Sequence, residues 1–394
     1  MRNPCGREDG GVGAGVIITW PRMGSLDVVL TSVFEEMGVD YVLPPPSSQR
    51  TLELGARHSP EFACIPLKTT LGNYLEAIER GADTLLMIAG KGPCRFGFYA
   101  ETQRRILEEA GFRAEMVALE FHRDRLGELI GNINRLKQGG SWIRLMRAIR
   151  FALRKAYLVD RLEQQALHQR CYDARKGDTS RALQRAYGLV RDCGDHAGLR
   201  EVEEEAFQLL RSVPRREMRE PPVRIALVGE FYLVLDPYFN LQVEEQLGDL
   251  GAWVERSVYL TDWLRPSGKN PILGHSSRRS EEAARPWLSH SVGGEGVHSV
   301  GHTVLFQRAG FDGVLHLLPF TCMPETIAKG ILPLVSRELG IPVLSLVIDE
   351  QTGRAGVATR LEAFCDLARY RRRKSGSGRQ PSLPLGPAGL ASPA

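Results

Sequence analysis

The first part of the chain alternates short apolar runs with amphipathic stretches. The apolar runs have the length of buried strands, and the stretches between them repeat their apolar residues at helical intervals, as in "LDVVLTSVFEEMG". This alternation is typical of parallel strands with helices on both faces of the sheet. It predicts an α/β domain over residues 15–121, with strands at "GVIITW", "DYVLPP", "DTLLMIAG" and "RAEMVALEF".

The pattern changes after residue 121. Residues 122–219 are rich in Arg, Leu, Glu and Gln, and their apolar positions keep a helical period, as in "WIRLMRAIRFALRKAYLVDRLEQQAL". This predicts a helical subdomain of about three to five helices. We interpret its charges as solvated helix faces.

Strand and helix patterns alternate again after the charged, double-proline segment "REMREPPV". They predict a second α/β domain over residues 220–371, with a loop containing short helical pieces at 266–296. The expected architecture is therefore α/β: two doubly wound, Rossmann- or flavodoxin-like, parallel-sheet domains with a helical insert between them. The predicted strands of the second domain are "RIALVGEFY", "AWVERSVYL", "FDGVLHLLPF" and "IPVLSLVID".

The chain ends and the charge restrict the classes of function. Residues 1–14 lack the apolar core of a signal peptide and predict a flexible leader, and the Gly/Pro/Ser-rich residues 372–394 predict a disordered tail. No run of about 18 apolar residues occurs, so we expect no membrane contact and a cytoplasmic location. The net charge is only +4, much of it in "RYRRRK", which does not call for a nucleic-acid partner.

Three of the seven cysteines stand out. Cys64, Cys94 and Cys322 lie in loops after apolar strands or before helices, each with a proline next to it or two residues on. An odd cysteine count in a large chain argues against a disulfide framework. The chain also has no CxxC pair, which argues against a zinc finger. Three thiolates suit an iron–sulfur cluster with one iron left without a cysteine. The alternative is three ordinary buried cysteines.

A weak internal echo supports the architecture of two α/β domains. "ERGADTLLMIAGKGPC" and "RAGFDGVLHLLPFTCMP" share one plan, with a cysteine beyond the carboxyl end of a strand. Open α/β sheets bind ligands at that end. Cys322 should also begin a helix with Pro324 in its first turn, which favours the thiolate.

The loop "GKGPCRFG" raises a further alternative, nucleotide binding. A phosphate loop needs the pattern G-x-x-x-x-G-K-[ST], and a dinucleotide loop needs G-x-G-x-x-G. Here no glycine stands five residues before Gly90, and Arg95 takes the place of the third glycine. The loop therefore matches neither pattern.

At these residues the chain resembles a known family. It resembles the iron–sulfur proteins related to 2-hydroxyacyl-CoA dehydratase and benzoyl-CoA reductase subunits, most closely the CoA-enzyme-activase-related branch, without the ATPase domain. The resembling segments are "FACIPLK", "GADTLLMIAGKGPCRFGFYAETQRRIL", "VGEFYLVLDPYFNLQVEEQLGDLGAWVERSVYLTDWL", "GHTVLFQRAGFDGVLHLLPFTCMPETIAKGILP" and "IPVLSLVIDEQTGRAGVATRLEAF".

The resemblance implies a [4Fe–4S] cluster held by Cys64, Cys94 and Cys322, and an ATP-dependent activator that donates single electrons to it. In the dehydratases the electron converts an acyl-CoA thioester into a ketyl radical. We therefore expect reductive or dehydrating chemistry on a small, acyl-CoA-type substrate. A dimer with itself or a related subunit is also implied. The alternatives are a non-catalytic electron-transfer or cluster-scaffold component of a larger complex, and a nucleotide-binding protein. Gln351 stands where the family pattern predicts histidine, and no CoA-binding signature is evident.

Further residues are candidates for the surroundings of the cluster. Positive charge next to the cysteines raises the potential of an anionic cluster, and three cations are placed to supply it: Lys68, Lys91 and Arg95. Their alternative is a solvated surface position. Glu325 should favour its own helix N terminus, and Glu230 and Asp236 are candidate substrate contacts beyond a strand end. His298 and His302 are candidates to reach the open iron or a substrate, unless Ser299 or Thr303 caps that helix and both histidines are at the surface.

Overall fold

The computed structural model of the chain describes residues 16–90, 93–121, 123–264 and 278–374. The strands of these residues are β1 (Ile18–Thr19), β2 (Thr84–Ala89), β3 (Glu115–Glu120), β4 (Val223–Gly229), β5 (Ala252–Arg256), β6 (Gly313–Pro319) and β7 (Val343–Ile348). They form a three-stranded sheet, β1-β2-β3, and a four-stranded sheet, β5-β4-β6-β7, and each strand pair is parallel. The predicted pair of doubly wound α/β units is confirmed.

The first sheet is surrounded by α1 (Leu26–Met37), α2 (Gln49–His58), α3 (Ile65–Ile78) and α4 (Tyr99–Glu109). The strand predicted at "DYVLPP" is wrong, because that segment makes only a single bridge, from Tyr41 to Ile18. Two causes are visible. Its neighbour β1 is only two residues long, and the prolines at 44–46 have no N–H to extend the pairing.

The middle of the chain is helical, as predicted. It comprises α5 (Leu126–Leu136), α6 (Trp142–Gln169), α7 (Asp178–Asp192) and α8 (Gly198–Arg211). The apolar faces of α6, α7 and α8 share one hydrophobic cluster, which also includes Val28 of α1. The helical region is therefore packed on the first α/β unit.

A buried ionic cluster joins this helical region to the second sheet. Arg256, at the end of β5, contacts the carboxylates of Glu163 on α6 and of Glu244, and its Nη2 donates to Glu244 Oε2 at 2.9 Å. Tyr187 donates to Glu163 Oε1 at 2.7 Å, and Arg170 lies 3.4 Å from Glu244. The three central side chains are at most 7% exposed. Removing one charge would therefore leave its partners unpaired in a dry environment.

The helices of the second half are α9 (Phe231–Leu235), α10 (Val243–Asp249), α11 (Leu260–Leu264), α12 (Arg278–Ala284), α13 (Gly296–Arg308), α14 (Met323–Leu339) and α15 (Arg354–Lys374). The helix α15 continues three residues into the predicted tail. Arg372 donates to the carbonyls of Pro221 and Pro222, and Arg373 pairs with Glu220 at 3.0 Å. The predicted leader and residues 375–394 lie outside the described residues. No described helix combines the length and the apolar character needed to cross a membrane.

The strand order creates a switch point beside β4. The chain leaves β4 for β5 on one side and returns to β6 on the other, so a crevice opens at the carboxyl ends of β4 and β6. Gly229, with φ of +139°, ends β4 there, and a Cβ atom on it would lie 2.0 Å from the Leu317 carbonyl oxygen. The next residue, Glu230, donates its N–H to that carbonyl at 3.0 Å. The close approach requires glycine and places Glu230 at the crevice.

Candidate metal centre

The three predicted cysteines all hold the same local position. Cys64 precedes α3, Cys94 precedes a short 3-10 helix (Arg95–Phe98) that leads into α4, and Cys322 precedes α14. Each is the N-cap residue, with extended backbone, and α3 and α14 carry a proline in their first turn. The positive end of a helix favours a thiolate. The sequence predicted this position for Cys322, and the structure has it at all three.

Hydrogen bonds join the three cysteine loops to one another. Arg95, directly after Cys94, donates to the Phe62 carbonyl at 3.1 Å and to Thr321 Oγ1 at 3.2 Å. Thr321 Oγ1 donates in turn to the Phe62 carbonyl at 3.1 Å. Phe62 lies two residues before Cys64, and Thr321 directly precedes Cys322. The thiolate form of Cys64 would raise the pKa of both Cys94 and Cys322.

Backbone strain accompanies this arrangement. Thr321 has φ of +64°, in the left-handed region that β-branched residues rarely adopt. Such a conformation costs about 1–3 kcal/mol and persists only where its surroundings impose it. Here the hydroxyl and the carbonyl of Thr321 both bind Arg95. The strain is therefore held by the contact between the second and third cysteine loops.

Burial raises the pKa of all three thiols above the ordinary value, and backbone amides oppose it. The backbone amide three residues after Cys64, at Leu67, lowers the pKa of that thiol. The amide of Phe96 lowers the pKa of Cys94, and the amide of Glu325 lowers the pKa of Cys322. Tyr99 Oη is 2.7 Å from Cys64 Sγ. Without a metal these thiols keep their protons at neutral pH, and a metal would displace them on binding.

A glycine-rich segment, residues 293–296 ("GGEG"), packs against two of the cysteine loops. A Cβ on Gly293 would lie 2.7 Å from Pro93 Cγ, and one on Gly294 would lie 3.2 Å from Pro324 Cγ and 3.8 Å from Cys94 Sγ. The predicted loop at 266–296 includes this segment, but its packing against the cysteine loops was not predicted. The run of three glycines within four residues was the signal available.

Glu230 lies at the crevice beyond the carboxyl end of β4. It is the N-cap residue of α9, and its Oε2 accepts from the Leu233 N–H at 3.0 Å. Its charge acts on Cys64, Cys94 and Cys322 alike. Burial raises the pKa of Glu230 to about 7, although the amides of Leu233 and Tyr232 lower it. The predicted Glu230 thus raises the pKa of all three predicted cysteines.

Glu325, the second predicted carboxylate, is fully buried and begins a chain of polar side chains that leads through the fully buried His316 to Ser345. Its Oε2 is 2.8 Å from His316 Nε2, and His316 Nδ1 is 3.0 Å from Ser345 Oγ. Its Oε1 has no hydrogen-bond partner among the described residues. His316 was missed because it stands within the apolar run of β6, where one histidine in "VLHLL" was the only signal.

The two predicted cations that are described differ in environment. Lys68 is 3% exposed, and its Nζ donates to the Glu61 carbonyl at 2.9 Å and to Glu350 Oε1 at 2.8 Å. The solvated-surface alternative is therefore wrong for Lys68, whose charge is paired. Arg95 lowers the pKa of both Cys64 and Cys94, against the larger effect of burial. Lys91 lies outside the described residues.

The predicted histidines are buried in α13, so the surface alternative is wrong for both. His298 Nδ1 is 2.8 Å from Ser280 Oγ on α12, and the His302 ring centroid lies 6.2 Å from that of Phe306. The hydroxyl of Thr303 donates to the Ser299 carbonyl, and neither residue occupies the N-cap position. These contacts belong to the packing of α13 and not to the cysteine loops.

The remaining candidates have structural contacts. Asp236 accepts the N–H groups of Tyr238 at 3.0 Å and Phe239 at 3.2 Å, and burial raises its pKa to about 6. Gln351 lies in the turn after β7, where its N–H donates to Asp349 Oδ1 at 3.0 Å. Neither contact connects to a cysteine loop.

Exposed apolar side chains flank the cysteines on the outside. Phe62 is 67% exposed, Phe98 61% and Phe320 51%, and Met323 is also exposed. Each lies within four residues of one of the three cysteines. We call Phe62, Phe98, Phe320 and Met323 the aromatic rim. Aromatic and methionine side chains are enriched at protein interfaces.

The three predicted cysteines come from three separate loops. The described residues contain no group of three or more His, Cys, Asp or Glu side chains placed to hold one metal ion. Cysteine thiolates are the usual protein ligands of a [4Fe–4S] cluster. Neither a scan of protein-family models nor a search of curated proteins finds a match for the chain.

Proposed function

We propose that the protein holds a [4Fe–4S] cluster on Cys64, Cys94 and Cys322. The cluster would accept single electrons from an ATP-dependent activator protein, for reductive or dehydrating chemistry on a small acyl-CoA-type molecule. The observation that carries the proposal is the joining of three N-cap cysteine loops, far apart in the chain, through Arg95, Thr321 and Phe62.

The surrounding residues suit an anionic cluster. Helix N termini meet at the three sulfur positions and favour negative charge there. Arg95 adds a positive charge next to Cys94, and a side chain at Gly293 or Gly294 would crowd the Cys94 loop. When bound, the cluster would supply the one-electron chemistry. The protein would set access and local charge.

The test is anaerobic production with supplied iron, followed by iron and sulfide analysis. We expect a brown protein with about four irons per chain, and loss of most of that iron in Cys94→Ser. The matched control is Cys193→Ser, because Cys193 lies in the helical region and bonds locally to the Asp195 carbonyl. A colourless wild type, or equal iron in Cys94→Ser and wild type, would contradict the proposal.

The aromatic rim supports a protein electron donor. Exposed aromatic side chains next to a redox centre would be covered by a docked partner. The rim equally favours a second candidate, an electron-transfer component without its own substrate. Turnover of an acyl-CoA with activator and ATP separates the two candidates. Cluster reduction without any turnover across 2-hydroxyacyl-CoA and aroyl-CoA substrates would favour the second.

A further inference from the structure

The first half of α6 carries apolar side chains on two faces. One face, which includes Leu145, packs into the hydrophobic cluster of the first α/β unit. On the other side Trp142, Met146 and Ile149 are exposed, and Ile143 is 81% exposed. A helix that is apolar all round is normally buried all round. The second face is therefore more apolar than this fold needs, and exposed apolar surface of this kind marks an interaction site.

The spacing of the exposed residues suits a second helix. Trp142, Met146, Ile149 and the half-buried Leu153 follow one another at intervals of four, three and four residues. We call these four residues the α6 seam. Alternating intervals of three and four give the repeat with which one helix packs along another in a coiled coil. A helix that lies on a lipid surface instead buries a wider apolar face.

The charge around the α6 seam is positive. Residues 129–159 contain seven Lys and Arg residues and no Asp or Glu. Arg150, next to the seam, is exposed and makes no hydrogen bond or ion pair with another residue in the described part of the chain. Arg147 pairs with Glu36 at 2.6 Å, whereas Arg154 lies 3.0 Å from a histidine nitrogen. A complementary partner would bring carboxylates to this surface.

The protein itself does not offer such a partner. In the segments outside the described residues, Glu8 and Asp9 are the only acidic residues. A second copy would bring the same acid-free stretch against itself, and like charges oppose that pairing. The acid-rich helix α8 already buries its apolar face in the cluster that it shares with α6 and α7. Charge complementarity therefore favours a different protein.

We propose that the α6 seam is the docking surface for an amphipathic helix of another protein, with apolar residues at the same repeat and Asp or Glu beside them. The apolar side chains would pack on the seam, and a carboxylate would pair with Arg150. The three predicted cysteines lie on other elements of the chain. The proposal therefore holds whether or not the protein binds a cluster.

The experiment uses the full chain and two fluorescent peptides of about three heptads, with Leu at the a and d positions. One peptide has Glu at e and g and the other has Lys, so that like charges keep each peptide from pairing with itself. Fluorescence anisotropy should show that the wild type binds the Glu peptide at least about tenfold more tightly than the Lys peptide.

Three variants identify the surface that binds. Met146→Glu should weaken binding of the Glu peptide at least about tenfold. The matched control is Leu367→Glu on α15, where the leucine is similarly exposed, and it should bind like the wild type. Arg150→Glu should weaken binding of the Glu peptide and strengthen binding of the Lys peptide, each by about threefold. Circular dichroism would show that each variant folds.

Several results would overturn the proposal. They are a wild type that does not bind the Glu peptide, equal binding of both peptides, and equal losses in Met146→Glu and Leu367→Glu. Co-sedimentation with phosphatidylcholine/phosphatidylserine vesicles that Met146→Glu abolishes would assign the seam to lipid instead. A dimer in analytical ultracentrifugation that Met146→Glu abolishes would assign it to a second copy. If Met146→Glu does not fold, Ile143→Glu takes its place, because that side chain is the more exposed.

Discussion

The ionic cluster around Arg256 makes a quantitative prediction for stability. In Arg256→Met the apolar stem is kept and the guanidinium is lost, so Glu163 and Glu244 remain as buried carboxylates without their main cation. Removing one partner of a buried ion pair costs about 3–5 kcal/mol. We therefore expect the free energy of unfolding to fall by that amount at pH 7, which lowers the folding equilibrium constant roughly 10²- to 10⁴-fold.

The pH dependence gives a second measure of the same interaction. Burial by itself raises the pKa of Glu244, but Arg256 and Arg170 outweigh it and hold the pKa below the ordinary 4.5. A carboxyl with a lowered native pKa stabilises the fold above pH 4.5 and loses that contribution as the pH falls. Without Arg256 the buried carboxyl of Glu244 takes up a proton more readily. The stability gap between wild type and Arg256→Met should therefore narrow below pH 4.5.

Urea unfolding followed by circular dichroism at pH 7 and pH 4 is the assay. The control is the triple variant Arg256→Met/Glu163→Gln/Glu244→Gln, which removes the charges and keeps acceptors for Tyr187 and Arg170. Replacing a whole buried ionic group by neutral residues is often near neutral, so the triple variant should be clearly more stable than the single one. A loss below 1 kcal/mol in Arg256→Met, or a triple variant as unstable as the single one, would refute the reasoning.

Two further predictions concern single residues. Gly229→Ala should lower the free energy of unfolding by about 3 kcal/mol, because it adds backbone strain and a clash with the Leu317 carbonyl. The control is Gly340→Ala, which is also at positive φ but in open space. In the same urea titration it should lower the free energy of unfolding by about 1 kcal/mol. Burial, with Glu163 adding to it, raises the pKa of Asp160 to about 7. The native state therefore keeps a proton there that the unfolded chain releases near pH 4, and stability should decline from pH 4 to 7. Asp160→Asn should decline less, and equal slopes would contradict this assignment.

The pattern of short apolar runs predicted the architecture because a buried parallel strand and an amphipathic helix leave different periods in the sequence. Prolines within two residues of Cys64, Cys94 and Cys322 pointed to loops before helices. In the structure each of these cysteines is the N-cap residue of a helix. The failed strand at "DYVLPP" had the right composition but lacked a partner of sufficient length. The hydrophobic repeat of a segment does not show how long the adjacent strand in the sheet will be.

Features that depend on tertiary contacts could not be predicted from the sequence. Lys68 reads as a surface cation until Glu350, 282 residues away, is seen to pair with it. His316 reads as an oddity in an apolar strand until Glu325 and Ser345 are seen on either side. In each case the partner lies on another element of the chain. Local propensity carries no information on such pairs.

The hydrogen bonds of Arg95 have a consequence for synthesis of the protein. Arg95 and Thr321 are 226 residues apart, so the second and third cysteine loops cannot meet until the segment between them has been made. Translation at about 5–20 residues per second leaves an interval of roughly 10–50 s between them. During this interval Cys64 and Cys94 are outside the ribosome without Cys322. They are then open to oxidants and to adventitious metal ions, and the cluster proposed on the three cysteines could be completed only after Cys322 has been made.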